Sequence, residues 1–177
     1  MKKKTTQKVA LYGIMGAMAL ALSFFEGLLP AMPFLPPGAK PGLSNIVTMF
    51  AACSLSLPAA LYIAVLKAFF ALVTRGVTAF FMSLCGGVLS AVAMYILFRF
   101  NKIGLIGISV ISALVHNFGQ LAVSFVLVGN KAVFGYAPFL IIFGLIAGIL
   151  TGIIFRVLLP AVNKYNLNTQ TNTSEGG

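Results

Sequence analysis

The chain has 177 residues, of which 60% are hydrophobic and only 8% charged. Soluble domains carry charge on about 25% of their residues, so this composition excludes a water-coated globule and implies a single polytopic membrane domain. A net charge of +10 would suit a nucleic-acid partner, but the basic residues stand singly at the ends of apolar runs, apart from the leading MKKKTTQK. That is the distribution of topology signals, not of a basic face.

A helix needs about 20 apolar residues to cross the bilayer core. Val9 to Leu29 meets that length. The stretch PAMPFLPPGAKPG (30–42) then stops it, because five prolines and two glycines cannot continue a helix. Leu43 to Thr74 is apolar apart from Lys67, too long for one span and short for two. It is read as two short helices, 43–56 and 58–74, turning near SLSLP (54–58). Val77 to Phe98, Ile103 to Val128 and Val133 to Leu159 complete the set. The expectation is an all-α integral membrane protein: a basic N-terminus (1–8), one domain of six transmembrane helices (9–159), and a polar tail (160–177) of disorder-prone composition.

The positive-inside rule orients six spans with both termini in the cytoplasm. Lys2, Lys3, Lys4, Lys8, Arg99, Lys102, Arg156 and Lys164 then fall inside or at the inner edge, and Lys40, Arg75 and Lys131 outside. The expected location is the cell membrane, with multiple passes. A signal peptide ending near Ala19-Leu20-Ala21 is the rival, but the apolar run continues past it to Leu29 without a break.

Small residues recur four apart in three spans: Gly13, Ala17 and Ala21; Ser83, Gly87 and Ala91; Gly144, Gly148 and Gly152. Residues so spaced share a helix face, and small ones let backbones approach. Packing within the bundle is the preferred reading for the second and third sets. The first could instead offer a groove to another protein.

Two polar groups could carry function. Within SALVHNFGQLAVS (112–124) and just before it, Ser109, Ser112, His116, Asn117, Gln120 and Ser124 share an arc of about 140° on one helix. That stripe must face the bundle interior or a cavity. It either ties helices together or lines a ligand pocket. The second group gathers towards the outer face: Glu26, Lys40, Asn45, Lys67 and Arg75. A Lys67–Glu26 pair with interface anchors would account for it. So would an outward-opening pocket whose cations favour anionic or electron-rich oxygen.

What is missing narrows the choice. There is no G-x-x-x-x-G-K-[ST], hence no P-loop ATPase. Glu26 is the one carboxylate outside the tail, so neither a Mg²⁺–diphosphate site nor paired-carboxylate catalysis fits this chain. Cys53 and Cys85 lie in apolar runs without clustered ligands, and no metal site or cofactor is expected. The chain is read as a non-enzyme.

The segments PGAKPGLSNIVTMF (37–50), FMSLCGGVLSAVAMY (81–95) and GISVISALVHNFGQLAVS (107–124) resemble the Gx transporter family, also catalogued as heptaprenyl diphosphate synthase component I. The resemblance covers about residues 9–155, with GAK-x-GL-x-N and HN-x-GQ as its motifs; Pro41 and Lys67 depart from the pattern. That family is similar in turn to the substrate-binding S components of energy-coupling-factor transporters. The resemblance implies an S-component-like six-helix bundle that binds a small molecule near the outer face. It implies docking on an energising membrane subunit with two ATPases, through a small-residue pattern that Ala17-x-x-x-Ala21 matches. The loop at 30–42 would help cover the pocket. The other family name implies a membrane component of polyprenyl or quinone synthesis, or one working with quinone or flavin redox partners. A prenyl synthase uses aspartate-rich motifs, and this sequence has no aspartate.

Overall fold

The structure is a computed structural model that describes residues 2–28, 42–100 and 102–174. Six α-helices follow in order: α1 (Lys2–Leu28), α2 (Asn45–Phe50), α3 (Leu57–Arg75), α4 (Val77–Phe100), α5 (Leu105–Val128) and α6 (Ala137–Ser174). A π-helical turn, Ala51–Leu55, extends α2, and a 3₁₀ segment, Lys131–Tyr136, leads into α6. No strand occurs among the described residues.

Five helices are long and apolar enough to cross a membrane; the sixth apolar stretch, Asn45–Leu55, is not. Its 11 residues reach only about 16 Å, roughly half of a bilayer core. The expected division of the long apolar run into two helices is present. Ser56 makes the break: its backbone is extended (φ −168°, ψ 161°) and its side chain accepts from Ala59 N, with Pro58 in the first turn of α3, where a missing N–H costs nothing. At the other end of α3, Gly76 has φ 89°. Side-chain-bearing residues avoid that region, and there the chain reverses directly into α4. The helix α6 continues past Pro160 to Ser174, through the polar stretch where the sequence suggests disorder.

Arg99, Lys102 and Arg156 fall at one end of the bundle, while Arg75 and Lys131 fall at the other. The apolar core is thickest towards the Arg99 end, where Met49, Ile63, Met94, Ile108 and Phe155 are fully buried. Large apolar side chains such as Ile14, Phe69, Val73, Phe118, Val126 and Ile146 face outward, as a lipid solvent allows.

Glycine sets how closely α4, α5 and α6 approach. A Cβ on Gly148 would lie 2.6 Å from Val110 Cα, and one on Gly152 2.8 Å from Ile106 Cα. Gly119 and Gly86 meet backbone to backbone, a Cβ on the first lying 3.0 Å from Cα of the second. Gly87 rests on Ala64 of α3, a Cβ there being 3.3 Å from the alanine methyl. The packing reading of the α4 and α6 small-residue sets therefore holds for Gly87, Ala91, Gly144, Gly148 and Gly152, all buried. On α1 the outcome is reversed. Met15, Gly16, Ala19, Ser23 and Glu26 are buried, whereas Gly13, Ala17 and Ala21 are exposed.

Candidate functional site: a polar pocket at the Arg75 end

The two polar groups of the sequence meet in one place. A cavity is lined by Ser23 and Glu26 of α1, Gly42 and Ser44 ahead of α2, Lys67 and Arg75 of α3, Ser83 of α4, and His116 and Gln120 of α5. Its volume is about 20 Å³, room for one water-sized group. Glu26, Ser44, Lys67, His116 and Gln120 are all buried. Such a concentration of polar side chains inside an apolar bundle is costly unless each finds a partner.

Many do. Both Glu26 oxygens are engaged by one residue: Ser44 N donates to Oε1 at 3.1 Å and Ser44 Oγ donates to Oε2 at 2.9 Å. Lys67 Nζ donates to Asn45 Oδ1 at 2.8 Å. The start of α2 is thus clasped to α1 and to α3 by adjacent residues. Gly42 makes the entry feasible: its φ is +85°, and a Cβ there would be 3.0 Å from Asn45 Nδ2 and 3.6 Å from His116 Cδ2. The chain has therefore reached the middle of α5 before α2 begins, which is why 11 residues suffice to reach the Arg99 end.

On α5 the stripe divides between two tasks. Gln120 Nε2 lies 2.8 Å from His116 Nε2. The two side chains share a hydrogen bond, and the other ring nitrogen of His116 is turned towards Gly86. Gln120 Oε1 is buried without a hydrogen-bond partner. Asn117 points elsewhere: its Nδ2 donates to Leu140 O of α6 at 2.7 Å. Of the three named residues, His116 and Gln120 line the cavity, and Asn117 ties helices together.

Of the outer group, Glu26, Lys67 and Arg75 line the cavity directly, and Asn45 supports it through Lys67. Lys40 lies outside the described residues. Sequence reasoning missed Ser23, Gly42, Ser44 and Ser83 as lining residues. The GAK-x-GL-x-N motif contains Ser44 at an unspecified position, and serine inside a membrane helix is too common to stand out. Among the described residues no three histidine, cysteine or acidic side chains gather to hold a metal ion, and both cysteines are free and half-buried.

Residues 15–158 match the family described as heptaprenyl diphosphate synthase component I. No curated protein and no solved structure matches the chain.

Proposed function

The chain belongs to the heptaprenyl diphosphate synthase component I family, and from that premise we propose that it is a non-catalytic membrane subunit that holds a small molecule in the pocket at the Arg75 end. The observation that carries this reading is the pocket: polar residues from α1, α3, α4 and α5, remote in sequence and most of them buried, converge on one small cavity. Packing alone needs no cavity, and Asn117 illustrates what a purely structural polar residue on α5 does. Prenyl transfer is not assigned to this chain. The Mg²⁺–diphosphate chemistry needs several carboxylate oxygens, and the sequence has no aspartate and one glutamate ahead of its tail.

The finer reading is S-component-like uptake driven by an external energising module. Under it the short α2 completes six crossings, both termini are cytoplasmic, the pocket opens to the outer side of the cell membrane, and segment 30–42 helps cover it. The segregation of Arg99, Lys102 and Arg156 from Arg75 and Lys131 supports this orientation. The exposed face of Gly13, Ala17 and Ala21 is where an energising membrane subunit would dock. Ala17→Leu should abolish co-purification with that module while leaving the thermal stability unchanged; retained assembly would exclude this docking face.

The family description favours a second reading, a membrane component of polyprenyl or quinone synthesis or of flavin–quinone electron transfer. Protein extracted in mild detergent should then carry a prenylated quinone, less of it in His116→Ala. Finding no lipid-soluble ligand would remove this version.

A further inference from the structure

We infer that the pocket takes its ligand by an uncharged hydroxyl group, held between Asn45 and Gln120; this rests on the pocket being the binding site proposed above. Two carboxamides at the cavity carry atoms that no described residue meets with a hydrogen bond: Asn45 Nδ2 and Gln120 Oε1. Their residues are only 4% and 3% exposed, so neither atom is left to solvent. Gln120 lines the cavity. Asn45 Nδ2 stands against the lining residue Gly42, 3.0 Å from the position of a Cβ there, and His116 Cδ2 lies 3.6 Å from the same point. Buried amide atoms without partners are costly, and two of them beside one small cavity mark what its occupant must supply.

The second bond of each amide says what is left over. Lysine only donates, so the asparagine turns its oxygen to Lys67 Nζ at 2.8 Å and keeps Nδ2 as a donor. The glutamine uses Nε2 on His116 Nε2 at 2.8 Å and keeps Oε1 as an acceptor. The charged neighbours are engaged within the chain, Glu26 by Ser44 and Lys67 by Asn45. The unmet demand is therefore one donor and one acceptor, both neutral.

That pair selects among ligand groups. A ketone, a quinone or a carboxylate accepts only, and an ammonium donates only. A hydroxyl and a carboxamide do both. Size decides between them, because about 20 Å³ holds one water-sized group, which a hydroxyl matches and a carboxamide exceeds. Were the Gln120 amide turned about, it would offer a donor, which a hydroxyl oxygen also meets.

The test uses the full chain in a neutral detergent and three small probes: ethanol, acetone and acetate. Each is titrated and read by saturation-transfer NMR, with protein-free micelles as the blank. Ethanol should bind the parent more tightly than acetone or acetate does. Asn45→Asp keeps an oxygen for Lys67 and removes the donor; it should weaken ethanol binding roughly threefold to tenfold. Gln120→Met should weaken it in the same range, and carries the prediction alone should Asn45→Asp not fold. Ethanol binding that is unchanged in both folded variants overturns the inference and leaves the cavity to a bound water only. Acetone or acetate bound as tightly as ethanol, and weakened by the same substitutions, overturns the hydroxyl assignment while leaving the binding function standing. Binding of none of the probes also overturns the inference; the binding function falls with it if the parent carries no small molecule in native mass spectrometry.

Discussion

The two halves of the bundle are held together by different physics. Helices α4, α5 and α6 meet through glycines, with contacts so close that a single methyl on Gly148 or Gly152 would enter a neighbouring backbone. Helices α1, α2 and α3 meet at the Arg75 end through side-chain hydrogen bonds, Ser44 to Glu26 and Lys67 to Asn45. Close backbone packing is hard to deform without unseating a helix. Polar clasps can exchange one partner for another at small net cost. The comparison assigns a frame to one half and an adjustable cover to the other, with the pocket on the boundary.

Substitutions should separate the halves. The largest effect is expected in the frame. Gly148→Val drives its side chain into Val110, whose Cα lies 2.6 Å from the Cβ position, and should cost about 3 kcal/mol, read as a large fall in unfolding temperature in detergent. A loss below 1 kcal/mol would mean that the α5–α6 seam is looser than described. In the clasp, Ser44→Ala removes the 2.9 Å hydroxyl bond to a buried carboxylate and should cost about 2 kcal/mol. It should also raise hydrogen exchange at the start of α2 without loosening α5 and α6; uniform loosening would erase the distinction between the halves. Asn117→Ala gives up one interhelical bond, to Leu140 O, for about 0.6–1.7 kcal/mol, and should leave ligand retention intact. The smallest effect belongs to Ala17→Leu on the exposed face of α1: within about 0.5 kcal/mol of the parent.

Much of the bundle was legible from apolar run length alone. The expected starts at Val9, Val77 and Ile103 and the ends at Phe98 and Val128 fall within two residues of the observed membrane segments Val9–Leu28, Val77–Phe100 and Leu105–Val128. The proline- and serine-marked break before Pro58 was readable for the same reason, since turn chemistry is local. Helical periodicity also placed Ser109, Ser112, His116, Asn117 and Gln120 on one buried face. What periodicity does not say is which neighbour that face meets. It therefore could not separate His116, which turns to the cavity, from Asn117, one residue on, which turns to α6. Nor could it join the outer cations to the α5 stripe, because that union depends on the chain re-entering the bundle at Gly42 before α2 begins. The π-helical turn at Ala51–Leu55 left no mark in the composition.

Those neighbouring residues offer the most direct test of the pocket. Native mass spectrometry is run on the protein purified in mild detergent, alongside His116→Ala and Asn117→Ala. The predicted result is a small molecule bound to the parent and to Asn117→Ala and missing from His116→Ala, with the asparagine variant the less stable of the two. A parent without ligand, or two variants that lose ligand and stability alike, would contradict the account and reduce the α5 stripe to helix packing.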